Sequence, residues 1–125
     1  MCPRHVVIVV IAMSVVVGCA SKPKELYQWG GYEQGLYAAY KDPVQVESLR
    51  VKLETLIAEM ERVGQKVAPG LHAELGTIYL QMGATDKAIA QYAKERDAWS
   101  ESRGLMTAMI QNLERRQQAR EEQRK

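Results

Sequence analysis

Side chains able to act as base, nucleophile or metal ligand are few in this sequence, and their spacing assembles no reactive set. The chain has two histidines, His5 and His72, and two cysteines, Cys2 and Cys19. His5 and Cys2 lie in an N-terminal leader, which leaves His72 as the one imidazole of the body. That is too few for a multi-His zinc site. His72 falls at the core edge of a helical pattern, where a packed or surface histidine is the ordinary reading and a catalytic base the exceptional one. Ser48, Ser100 and Ser102 stand in no nucleophile-elbow context, and no Gly-rich phosphate loop is present. Glu59 and Glu61 lie on a charged helix face, as solvated acids do. We therefore expect no catalytic residue, no metal site, no cofactor and no small-molecule substrate.

Cys19 is the exception. Arg4 and His5 precede an apolar run, Val6 to Val17, that ends in Val16-Val17-Gly18-Cys19. About a dozen apolar residues are too few to span a ~30 Å hydrocarbon core but suit a secretory h-region. A small residue before a Cys is the bacterial lipoprotein processing signal, and this segment resembles it, with Val16 where Leu is commoner. The competing reading is an uncleaved anchor or an ordinary signal peptide with a chance Cys. On the lipoprotein reading, residues 1–18 are a signal peptide, and residues 19–25 are a lipidated Cys19 and a short tether. Cys2 leaves with the leader and Cys19 is consumed by lipid, so disulfides, thiolate nucleophiles and Cys-based metal sites all drop out. Ala20-Ser21 lacks the Asp that typically retains such proteins at the inner membrane, so the periplasmic face of the outer membrane is the expected location. Each buried CH₂ of the acyl chains contributes roughly 0.8 kcal/mol, enough in total to hold the protein on the bilayer. Of 17 Lys and Arg, Arg4 leaves with the leader, so the body carries 17 − 1 = 16 basic against 15 acidic residues. Such a balance has no electrostatic footprint for nucleic acid.

The elements that would position any site are all helical. Five of the eight aromatic residues, Tyr27, Trp29, Tyr32, Tyr37 and Tyr40, crowd into one segment. Within it Tyr32, Leu36 and Tyr40 recur at i, i+4 and i+8, which predicts a helix over 32–41 with that stripe as its apolar face. Asp42-Pro43 starts the next helix, with an Asp cap, Pro at the first position and Gln45 at the third. Val46, Leu49, Leu53, Leu56, Ile57, Met60 and Val63 then mark its apolar face, and Gly64 ends it. The stretch Leu71 to Trp99 reads as two short helices around Gly83, with Leu71, Leu75, Ile78 and Tyr79 on the first and Ala88, Ile89, Tyr92 and Trp99 on the second. A last helix begins after Ser100 or Ser102 and carries Leu105, Met109, Ile110 and Leu113. Residues 114–125 form a charged tail, read either as a solvated helical extension or as a disordered end. Strand signals are absent, so the expected fold is all-α, a small antiparallel array of about five helices.

The hairpin resembles a tetratricopeptide (TPR) unit, whose signature is Leu-Gly-x-x-Tyr, a turn Gly and then Ala-x-x-x-Phe. Leu75, Gly76, Tyr79, Gly83, Ala88 and Tyr92 hold those places in register. Three positions depart from it: His72 replaces Trp, Glu95 a small residue and Ser100 the closing Pro. The resemblance implies that residues 26–113 form a TPR-like domain, with Ala73, Thr77, Leu80 and Gln81 lining a concave groove. Over nearly all of the mature chain a narrower likeness appears. Leu26-Tyr27-Gln28-Trp29-Gly30, Leu36-Tyr37, Lys41-Asp42-Pro43, Pro69-Gly70-Leu71, Ala73-Glu74-Leu75-Gly76 and Trp99-Ser100-Glu101-Ser102 are similar to a lipoprotein family known as domain of unknown function 4810. That resemblance implies a TPR-like outer-membrane lipoprotein whose neighbours resemble the curli secretion channel lipoprotein.

The leading expectation for function is thus a non-enzymatic adaptor that holds or helps assemble other envelope lipoproteins, among them a secretion-channel-like protein. A pilotin-like secretin chaperone and an enzyme or activator acting on cell-wall polymer are the alternatives. Two partner sites are open. Tyr27 and Trp29 either pack on the second helix or stay exposed near the tether as contact anchors, since Trp and Tyr are favoured at interface hot spots. The groove residues Ala73, Thr77, Leu80 and Gln81 compete with them.

Overall fold

The computed structural model describes residues 26–125. The expected signal peptide, Cys19 and the expected tether through residue 25 lie outside the described residues. Among the described residues the protein is all-α, with five α-helices: α1 (Tyr32–Lys41), α2 (Val46–Arg62), α3 (Leu71–Gln81), α4 (Thr85–Ala98) and α5 (Arg103–Gln123). Short 3₁₀ turns at Pro43–Gln45 and Ser100–Ser102 lead into α2 and α5. Short connections make successive helices antiparallel, and α1 packs on α2, α3 on α2 and α4, and α5 on α4.

Local chemistry accounts for the boundaries. The Asp42 carboxylate accepts from the Val44 N–H at 3.1 Å, directly ahead of the α2 start. The reciprocal half of the expected capping box does not form, because the Asp42 N–H already donates to the Ala38 carbonyl at the end of α1. At the hairpin turn Gly83 takes φ 78°. The Ala84 N–H then reaches the Tyr79 carbonyl at 2.9 Å and the Gly83 N–H the Leu80 carbonyl at 3.0 Å, which satisfies two of the orphan carbonyls at the end of α3.

The core is centred on Leu49, Leu53, Ile57 and Met60 of α2, Leu71, Leu75, Ile78 and Tyr79 of α3, and Ala88 and Tyr92 of α4, closed by Met106, Ile110 and Leu113 of α5. At the α3–α4 crossing a Cβ placed on Gly76 would lie 2.8 Å from the Tyr92 ring and 3.2 Å from the Ala88 carbonyl. Only a glycine lets the two backbones approach so closely. Val67 and Ala68, in the connection before α3, are also buried in this core.

Two of the expected faces are rotated. On α5 the buried stripe is Met106, Ile110 and Leu113, while Leu105 is exposed and Met109 half-buried. That stripe packs on α4, and the exposed bond from Gln117 Nε2 to Asp86 Oδ1 at 2.7 Å continues it by another turn. On α1 the stripe of Leu36 and Tyr40 faces outward. Tyr32 of the expected stripe does pack against the core, together with Gly35 and Ala39, because α1 approaches α2 so closely that a Cβ on Gly35 would sit 3.1 Å from Leu49 Cδ1. Val63, at the C-cap of α2, is exposed as well. The charged tail is the solvated helical extension, since α5 runs through to Gln123.

Glu95 departs from the TPR pattern to structural effect. It is fully buried, and its Oε1 accepts from the Gly70 N–H at 2.8 Å and the Ser102 O–H at 3.0 Å. Gly70 is the N-cap of α3 and has no side chain to cap with. A carboxylate from α4 thus ties the start of α3 to the turn before α5.

Candidate functional site

An open, largely apolar surface lies between α3 and α5. Both helices pack against other elements on one side, which leaves a trough of ≈ 290 Å³ lined by Leu80 of α3 and by Ala108, Met109, Asn112, Leu113 and Arg116 of α5. Its floor is apolar, with an amide and a guanidinium at the rim. These groups can hold a chain segment by apolar contact and hydrogen bonds, and none of them is a nucleophile or a general base. The spacing Met109, Asn112, Arg116 at i, i+3 and i+7 is the signal in the sequence that places them together on one face.

Of the groove residues expected from the TPR register, Leu80 lines this trough. Ala73 is half-buried against the core and Gln81 is exposed at the end of α3. Thr77 is occupied internally: its hydroxyl donates to the Ala73 carbonyl at 3.0 Å and accepts from the Tyr92 O–H at 3.1 Å. The hydroxyl therefore serves the α3–α4 contact.

Tyr27 and Trp29 are half-buried in an aromatic string that runs along one end of the bundle. Tyr27 meets Trp99 edge-on at 5.6 Å and Trp29 at 6.5 Å, and Trp29 stacks on Tyr32 at 6.2 Å. Lys66 Nζ sits 3.5 Å from the centroid of the Trp99 ring. The turn at Gly30 rests on Leu56 of α2, where a Cβ would come within 2.7 Å of Leu56 Cδ1. Both rings pack against the core from the chain's entry into the fold, with part of each still in solvent.

His72 is buried, and its Nδ1–H donates to Gln91 Oε1 at 2.8 Å. Among the described residues no group of three or more His, Cys, Asp or Glu could hold a metal ion. The strongest polar network is structural. The Tyr79 O–H and the Arg50 guanidinium both bond to Glu54 and hold its carboxyl below the usual range, with the tyrosine contact the larger cause. Burial, followed by that carboxylate, pushes the Tyr79 phenol up. On α3, burial alone raises Glu74.

The Glu54 contacts give a pH prediction. The folded-state value lies below that of the unfolded chain, so their contribution is present in full above about pH 4.3 and is lost as pH falls through the folded value. Urea unfolding at a series of pH values between about 5 and about 3 should show a shallower loss of stability in Glu54→Gln than in the parent. Identical slopes would mean that the network carries no linked proton.

This geometry defines a class: a small all-α, TPR-like stack of helical hairpins. Within that class the chain belongs to the family described as Domain of unknown function (DUF4810), which matches residues 26–109. No curated protein and no solved structure matches the chain.

Proposed function

We propose that the protein is a non-enzymatic adaptor, held by lipid on Cys19 at the periplasmic face of the outer membrane, that binds a segment of another envelope lipoprotein and helps assemble it into a complex. A secretion-channel-like lipoprotein is the partner this reading favours. The observation that carries it is the α3–α5 trough, whose apolar floor and Asn112 and Arg116 rim suit a chain segment laid along the helices. The half-buried Tyr27 and Trp29 form a second, smaller contact surface at the tethered end.

Photocrosslinking in the native envelope tests this directly. A photoreactive residue at Met109 should attach a discrete envelope lipoprotein, whereas one at the exposed Ala90 on α4 should not. Leu80→Glu should cut the yield by upwards of about 2 kcal/mol in binding, beyond any loss that a parallel melt attributes to its packing against the core. Trp29→Ala distinguishes the second surface: lost crosslinks with an unchanged melt assign the contact to the aromatic end. Crosslinks that survive Leu80→Glu but vanish with Trp29→Ala would overturn the trough as the binding site.

A further inference from the structure

We propose that the outward face of α1 rests on the bilayer surface and fixes the orientation of the domain on the membrane. The inference depends on the lipid anchor at Cys19 proposed above.

The face itself is unusual for an exposed surface. Tyr37 is 60 % and Tyr40 88 % exposed, with Leu36, 39 % exposed, at the edge of the same arc of α1. Val44, in the turn that follows, is 78 % exposed, and Leu26, at the entry to the fold, 88 %. No residue of α1 is fully buried: Tyr32 and the small residues Gly35 and Ala39 form the side that lies on the fold. Leu36, Tyr37 and Tyr40 are left outside. Glu33 in the first turn lies between the two tyrosines on this arc and Lys41 closes its far end, with Lys41 Nζ 4.7 Å from the Tyr37 ring centroid, so the face is amphipathic. Exposed tyrosines with a neighbouring lysine are the side chains that favour the headgroup level, where a ring is half in hydrocarbon and its hydroxyl in water.

Chain length selects the bilayer as the occupant. Cys19 lies seven residues before Leu26. Fully extended, that many residues reach at most ~25 Å, less than the diameter of about 30 Å expected for a domain of roughly this size. A lipid on Cys19 therefore keeps the end of the fold that carries Leu26 near the membrane, and α1 begins six residues after Leu26. A second copy of the chain fits less well. The face offers Leu36, Tyr37 and Tyr40 of α1, with Val44 in the turn beyond, against roughly 20–30 residues a side in a stable protein interface. A flat bilayer needs no such area, because the acyl chains already supply the affinity.

The full-length protein, purified from membranes and reconstituted in phosphatidylethanolamine and phosphatidylglycerol vesicles, allows the test. Tyr40→Cys and, as a control, Ala90→Cys are each labelled with an environment-sensitive fluorophore, and lipids carrying a nitroxide near the headgroup are added. The probe at position 40 should shift to the blue and lose most of its emission to the nitroxide lipid, while the probe at position 90 keeps its emission. The parent protein is carried through the same labelling. If Cys19 is lipidated the parent takes no dye, and dye on the parent would sink the anchor and this inference with it. An unlabelled parent that floats with vesicles, combined with an unquenched probe at 40, would overturn the α1 contact and leave the anchor standing. Shielding at 40 that grows with protein concentration in detergent, in place of lipid quenching, would assign the face to a second copy.

Discussion

Tyr92→Ala is expected to lower folding stability by about 3–5 kcal/mol, the range for removing a large aromatic ring from a core. Tyr92 is fully buried, and its ring fills the space over Gly76 where α3 and α4 cross. Gly76 offers no side chain that could move in to replace it, and the backbones are already in contact through the Ala88 carbonyl, so the cavity cannot collapse easily. A small domain has only about 5–15 kcal/mol in total, so the variant should be near the limit of folding. Tyr92→Phe separates ring from hydroxyl. It loses only the bond to Thr77 Oγ1, which retains its own bond to Ala73, and should cost about 1 kcal/mol. Urea unfolding followed by circular dichroism reads both. A loss in Tyr92→Ala no larger than that in Tyr92→Phe would show that the ring is not the keystone of the crossing.

Gly76→Leu should be the next most damaging change, by about 1–3 kcal/mol or more through overpacking. Its sign for the smaller substitution is the sharper test. Replacing a mid-helix glycine by alanine ordinarily stabilises by roughly 0.5–1 kcal/mol. Here Gly76→Ala should destabilise, because the new Cβ would stand 2.8 Å from Tyr92 Cε1 and 3.2 Å from a backbone oxygen on the other helix. In a Tyr92→Ala background the ring is gone and the penalty should shrink or reverse, a coupling that a double-mutant cycle measures. Thermal melts of the four proteins suffice, and simple additivity across them would mean that the two residues do not share the contact.

The local structure was legible in the sequence because its causes are local. The helix over 32–41, the Asp42-Pro43 start, the Gly64 and Gly83 stops and the hairpin from Leu71 to Trp99 each depend on hydrogen bonds and dihedral preferences within a few residues, and each stands where its spacing placed it. The crossing of Gly76 with Ala88 and Tyr92 was also readable, since a repeat signature encodes a pairwise fit between two neighbouring helices. What the tertiary structure decided was the rotation of each helix about its own axis and the partners of its polar groups. Periodicity marks Tyr32, Leu36 and Tyr40 as an apolar stripe, but the distance at which α1 can approach Leu49 turned Gly35 inward and left Leu36 and Tyr40 outside. The same reasoning holds for α5, where packing against α4 buried Met106 and left Leu105 outside. Thr77 lost its place in the groove to a hydroxyl pair with Tyr92, and Glu95, a misfit by pattern, became the link between Gly70 and Ser102. A sequence states which side chains are apolar and at what interval. Which of them is covered depends on the closest approach of backbones far apart in the chain, and that distance exists only once the helices have packed.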